Sequence, residues 1–184
     1  MMLINPYVFS NDKVLELLFN GADGSTIIDS TGRHTPSLSA SGTRAISDNR
    51  LQVGGGGFIR ADAENTVNQD FNFTGKDFSI SFEMHPTSGG TTWIFKKTSQ
   101  DAAGSGSPYL VFFWDTQLAF RSNIGQDIVT YSAPSTLVGV NTKIEIKRTG
   151  TTFQMLINDV VVDTQVYNEA QRAIDFSSQN YGMI

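Results

Sequence analysis

The sequence predicts an all-β sandwich, and three observations carry that expectation. Apolar residues recur with a period of two, turn-forming clusters separate the apolar runs at short intervals, and helical periodicity is almost absent. Composition agrees. Of the 184 residues 17% are charged, while 17 are Gly and 13 are Phe; an average soluble domain carries about 25% charged residues. A coiled coil needs Glu, Lys, Arg, Ala and Leu at heptad spacing, and a disordered tail does not carry so many Phe, so both classes are excluded. The length suits one domain.

Taken in order, the opening residues MMLINPYVFS are mostly apolar and contain Pro6, which disfavours a helix through them. Residues 1–12 read as an N-terminal arm ahead of a domain spanning 13–184. An apolar arm free in water is unfavourable, so Leu3, Ile4, Pro6, Tyr7, Val8 and Phe9 are expected to dock, either on the domain or on a partner. Strand-like runs follow at Val14 to Phe19, Arg50 to Val53 and Gly57 to Arg60. In Asp77 to His85 (DFSISFEMH), Phe78, Ile80, Phe82 and Met84 fall on one side and Ser79, Ser81, Glu83 and His85 on the other, the mark of a half-buried strand. Thr92 to Lys97, Tyr109 to Trp114, Gln117 to Arg121 and Ile128 to Tyr131 continue the series, and Thr142 to Arg148 alternates again through Ile144 and Ile146. Thr152 to Ile157 and Val160 to Thr164 are joined by Asn158-Asp159, two residues that tolerate the positive φ of a tight hairpin turn. Asn168 to Ile174 (NEAQRAI) reads as a short helical turn.

Tyr109 to Phe120 (YLVFFWDTQLAF) is apolar at both parities. A central strand covered on both faces explains this. A second explanation is a groove in which aromatic rings stack on the apolar faces of sugars and polar side chains meet the hydroxyls. Trp93, Tyr109, Trp114, Asp115 and Arg121 would line it.

Several chemistries are excluded. Without Cys there are no disulfides, thiolate zinc sites or cysteine nucleophiles. A net charge of −5 with no basic run argues against nucleic acid as a partner. No apolar stretch is long enough for a membrane span, and MMLINPYVFSNDK lacks the basic and apolar regions of a signal peptide, so synthesis in a cytoplasm without general export is expected. Ser105 lacks the flanking Gly of a nucleophile elbow, and Gly54 to Gly57 is followed by no Lys-Ser/Thr. Neither His34 nor His85 has metal-ligand spacing, and both read as turn or surface residues.

The apolar strand and turn in VLELLFNGADGSTIID, then DSTGRH, resemble the opening of the laminin-G-like branch of the concanavalin A-like lectin/glucanase jelly rolls. Leu51 to Ile59 (LQVGGGGFI), Phe71 to Pro86 (FNFTGKDFSISFEMHP) and the Thr142 to Gln165 hairpin are similar to later family segments, in the same order. The resemblance implies a concanavalin A-like jelly-roll β-sandwich of two antiparallel sheets. It also implies a setting, because such domains are common in bacteriophage tail, fibre and head-decoration proteins, often behind an arm like INPYVF. The family pattern usually continues past a strand such as Asn180 to Ile184 into one that pairs with the opening strand. An uncovered edge beside Val14 to Phe19 is therefore expected to be filled by the arm or by a partner.

Glucanases of the superfamily use paired Glu residues in an E-x-D-x-x-E strand; here Glu16, Glu64, Glu83, Glu145 and Glu169 stand singly, so no catalytic residues are expected. Some members bind calcium, and Asp23 and Asp29 are weak candidates, with turn capping the plainer role. No cofactor is otherwise expected. The expectation is a non-enzymatic virion structural protein, a head-decoration or tail-associated subunit, assembling through its arm and sheet edges with other virion proteins or copies of itself. The alternative is a carbohydrate-binding module that engages a host-surface glycan during adsorption.

Overall fold

The computed structural model describes residues 2–7, 17–18, 27–38, 43–47, 50–54, 59–60, 76–88, 92–97, 109–114, 116–122 and 127–167. Among the described residues fifteen strands run in chain order as β1 (Met2–Tyr7), β2 (Leu17–Leu18), β3 (Ile28–Asp29), β4 (Ser37–Leu38), β5 (Thr43–Ser47), β6 (Arg50–Gly54), β7 (Ile59–Arg60) and β8 (Phe78–Met84). They continue as β9 (Thr92–Lys97), β10 (Tyr109–Phe113), β11 (Leu118–Ser122), β12 (Asp127–Tyr131), β13 (Thr142–Thr149), β14 (Thr152–Ile157) and β15 (Val160–Val166). Pro134–Leu137 forms a 3-10 turn, with Pro at its start where a missing N–H is harmless.

The strands build a seven-stranded sheet, ordered β15-β14-β13-β8-β1-β6-β5, and a four-stranded sheet, ordered β12-β11-β10-β9. Two small pairs, β2-β3 and β4-β7, accompany them. All pairings are antiparallel. Between β8 and its neighbour β13 the chain leaves to make all four strands of the second sheet and then returns. That crossing lays one sheet over the other and gives the jelly-roll β-sandwich its core.

The alternation read in the sequence explains which faces meet. Ile80, Phe82 and Met84 from β8, Ile144 and Ile146 from β13, and Phe153, Met155 and Ile157 from β14 pack against Val111, Phe113, Leu118, Phe120, Ile128 and Val129 of the other sheet. An aromatic group ties the layers together: Phe153 lies 6.5 Å from Phe120 and meets Tyr167 edge-on at 5.6 Å. Each such ring buries more area than an aliphatic side chain and adds a geometric preference for tilted contact.

Asn158 and Asp159 have φ of 49° and 66°, as the two-residue β14–β15 hairpin requires. Asn158 also fastens the turn to β13, accepting the Lys143 amide on its Oδ1 and donating its own amide to the Lys143 carbonyl, both at 2.9 Å. The β13–β14 turn uses Gly150, whose φ of 58° suits glycine, and its amide donates to Asp77 Oδ1 at 2.7 Å.

Of the two docking outcomes expected for the N-terminal segment, docking on the domain is the one seen. Leu3, Ile4, Pro6 and Tyr7 belong to β1, which lies inside the larger sheet between β6 and β8. The physical reason is the cost of an unpaired apolar strand, met here by two ladders of backbone hydrogen bonds. Pro6 is tolerated because the ladder with β6 covers Met2 to Ile4 and stops before it, while the ladder with β8 continues to Tyr7. Val8, Phe9, Asn168 to Ile174 and Asn180 to Ile184 lie outside the described residues, and of Val14 to Phe19 the strand described is Leu17–Leu18.

Candidate functional site

Along β10, Val111 and Phe113 point into the core, so Phe112 points to the opposite face. On that face Phe112 and Ala119 are fully buried and form a small cluster with Trp114 against them. The both-faces-covered explanation of the apolar run holds for these residues.

A hairpin and a bulge assemble the polar groups around this cluster. Trp114 and Gln117 exchange backbone hydrogen bonds of 2.7 and 3.3 Å, closing the β10–β11 hairpin and setting both side chains beside the sheet. Between β11 and β12 the register shifts, so that Phe120 faces Val129 but Arg121 faces Asp127, leaving Ile128 as the extra residue. The bulge keeps Ile128 in the core and re-aims Asp127 onto the outer face. Arg121 Nε then donates to Asp127 Oδ1 at 2.6 Å, and Gln117 Nε2 donates to Asp127 Oδ2 at 3.0 Å. The Arg121 guanidinium stands 4.6 Å from the Phe112 ring centre and 5.3 Å from that of Trp114. Phe112 and Trp114 are tilted against each other at 4.4 Å. The indole N–H of Trp114 is buried and has no hydrogen-bond partner among the described residues.

Of the five groove residues expected, Trp114 and Arg121 come together. Trp93 pairs with Phe112 in the ladder, and Tyr109 pairs with Lys97 and Ser122; these are backbone placements. Asp115 lies outside the described residues. The sequence reading missed Phe112, Gln117 and Asp127. Gln117 and Asp127 follow from the hairpin closure and the bulge, and a bulge has no reliable signature in a single sequence.

Asp29 has the role of a turn residue. Its buried carboxylate accepts hydrogen bonds from the Thr31 amide at 3.0 Å, the Thr31 hydroxyl at 2.6 Å, and the Arg33 and His34 amides at 3.1 and 3.0 Å. Its oxygens are occupied by donors, which a cation would have to displace. Asp23 lies outside the described residues, and among the described residues no group of His, Asp and Glu is gathered for a metal.

Glu83 and Glu145 lie on β8 and β13 with Lys143 directly opposite Glu83, and Glu145 accepts the Ser79 hydroxyl at 3.0 Å. His85 shares a 3.0 Å hydrogen bond with Asn141. Glu16, Glu64, Glu169 and Ser105 lie outside the described residues. No helix among the described residues is long and apolar enough to cross a membrane.

A second arrangement joins the sheets where β12 and β15 end them. Asp163 Oδ2 accepts the Thr130 amide at 2.8 Å, and the Tyr167 hydroxyl donates to the Ile128 carbonyl at 3.0 Å. A shift between Met155 and Leu156 makes Val162 the extra residue of β15 beside Asp163. Burial, reinforced by the Asp163 and Asp127 carboxylates, holds the Tyr167 hydroxyl above the ordinary phenol value of 10.0.

No protein-family model and no curated protein matches the chain. Among solved structures the chain is similar to the mouse laminin alpha1 chain, domains LG4-5, at 12% identity and a TM-score of 0.44. The match covers 76% of this chain and 40% of that one.

Proposed function

We propose that this chain is a non-enzymatic structural subunit of a bacteriophage virion, a head-decoration or tail-associated protein that assembles through the edges of its sheets. The observation that carries the assembly role is β15, an edge strand on which Val160, Val161, Val162 and Val166 are exposed. Exposed apolar edges invite strand pairing, and soluble monomers blunt them. The virion setting comes from the sequence resemblance. Because β1 is an internal strand, assembly is assigned to edges and not to an arm.

A carbohydrate-binding role is the second reading. It is favoured by the half-buried polar groups of Gln117, Arg121 and Asp127 around the Trp114 ring. Against it, Trp114 already packs on Phe112, and Arg121 is held by Asp127.

The test is co-purification. Particles banded by density from a producing lysate should carry the chain, detected by mass spectrometry, and lose it when its reading frame is deleted. Recovery of the chain wholly in the unsedimented fraction, with particles of normal composition, would reject the structural assignment.

A further inference from the structure

β12 and β15 end their sheets on the same side of the sandwich, yet their edges are finished differently. On β12 the Thr130 amide and the Ile128 carbonyl, turned away from β11, each meet a side chain: the Asp163 carboxylate and the Tyr167 hydroxyl. On β15 the Tyr167 amide just beyond the strand donates to the Thr151 carbonyl at 3.0 Å. Backbone direction alternates in an antiparallel ladder, so Gln165 turns its amide and carbonyl toward β14 while Thr164 and Val166 turn theirs to the open side. Among the described residues nothing bonds to those outward groups. β15 carries no Lys, Arg or Pro to block pairing, and its single charge, Asp163, is directed at Thr130. Val160 and Val166 are 64% and 67% exposed.

We propose that the open edge of β15 pairs with the same edge of a second copy of this chain, antiparallel across a two-fold axis through Thr164. This partner assignment rests on the reading of the chain as an assembly subunit. The register follows from the strand sequence VVVDTQV. About that axis each Val162 faces a Val166, each Asp163 faces a Gln165, and Thr164 faces its own equivalent. Apolar β-branched pairs and Thr–Thr pairs are favourable cross-strand neighbours, and Gln165, whose Nε2 donates to Asp163 Oδ1 of its own chain at 2.9 Å, sets an amide and not a second charge opposite the partner's carboxylate. Moving the axis to Asp163 would set two carboxylates against each other. The axis at Thr164 also brings its outward amide and carbonyl onto those of its equivalent, as a hydrogen-bonded pair of an antiparallel ladder requires. The two seven-stranded sheets become one, and the interface closes on itself as a two-fold contact must.

The chain contains no Cys, so one introduced Cys reports the axis. Equivalent residues on the axis of such a ladder have Cα atoms about 5.5 Å apart, within disulfide reach. Full-length Thr164→Cys should oxidise to a covalent dimer, while Gln154→Cys, one strand further in on β14, should not. Light scattering should give twice the chain mass for the unmodified protein. The Val162→Lys, Val166→Lys double variant, with unchanged circular dichroism and melting, should give half that value. A monomeric unmodified protein with Thr164→Cys unlinked overturns the second-copy partner, and particle co-purification then decides the assembly reading separately. Self-association that survives the double Lys variant, with Thr164→Cys unlinked, overturns β15 as the contact and leaves the assembly reading standing.

Discussion

The hydroxyl of Tyr167 donates to the carbonyl oxygen of Ile128 at 3.0 Å, so a residue just past the end of one sheet satisfies the edge of the other. Tyr167 is buried, and its ring lies edge-on to Phe153, so Tyr167→Phe keeps the packing and removes the donor. The buried Ile128 carbonyl would lose that bond, at a cost of about 1–2 kcal/mol. Chemical denaturation should show it as a lower midpoint with an unchanged slope. The same pair predicts a pH dependence. The folded phenol is held above 10.0, so the folded state keeps its proton after the unfolded chain has lost it. The contribution is full below about pH 10 and is lost as the pH rises through the raised folded value. The stability gap between the parent and Tyr167→Phe should therefore narrow above pH 10; a gap that stays constant across the alkaline range would reject the linkage.

Asp29→Ala is expected to destabilise the protein by about 1–2 kcal/mol, because it removes a buried carboxylate that gathers the amides of an otherwise largely exposed turn, among them the buried His34 amide. The amides of Thr31 and His34 lose the carboxylate acceptor, and that of Arg33 is left with the Thr31 hydroxyl at 3.3 Å. Added calcium or a chelator should leave the melting temperature of the parent protein unchanged. A calcium-dependent rise that Asp29→Ala abolishes would restore the metal-binding role.

At the β14–β15 turn, Asp159 holds a positive φ of 66° that glycine adopts without a Cβ penalty. Asp159→Gly also removes its ion pair with Lys143, a contact of 2.6 Å that is exposed and therefore screened by solvent. The turn term is expected to win narrowly, raising the melting temperature slightly. A fall in melting temperature would show that the ion pair outweighs the backbone strain.

Trp114→Ala should lower stability by about 1–3 kcal/mol through lost contact with Phe112 and Arg121, and Arg121→Ala by about 1 kcal/mol or less, since its ion pair is partly exposed. A glycan array run on the parent protein and both variants separates the two functional readings. Under the structural reading there is no glycan signal for the variants to lose. A glycan bound by the parent and lost in Trp114→Ala, with folding intact, would move the assignment to carbohydrate recognition.

The regular strands were legible because one of their faces is buried: Phe78, Ile80, Phe82 and Met84 of β8 and Ile144 and Ile146 of β13 report the core by alternation alone. The Asn158-Asp159 hairpin was legible because its turn chemistry is local. β1 and β5 were not identified as strands. The place of β1 depends on distant ladders, and Pro6 argues for a strand only once the ladder with β6 is known to stop at Ile4, whereas β5 pairs with the adjacent β6, Ser47 opposite Arg50. The groove was half legible. Trp114 and Arg121 stand out by residue type, whereas Asp127 reaches Arg121 through a bulge that period-two reading assigns to the wrong parity.

The placement of β1 between β6 and β8 bears on how the chain acquires its fold. During synthesis β1 is made before either of its neighbours, and it cannot be enclosed until the chain has reached Met84. The β13-β14-β15 meander, by contrast, pairs through two tight turns and can form as soon as it is made. Non-local pairing is slow because the closure entropy of a long loop is lost before the contacts form. The larger sheet should therefore grow from the meander onto β8 and seat β1 late. A refolding experiment with hydrogen-exchange labelling should find amides of Met155 and Ile146 protected before those of Leu3 and Ile4.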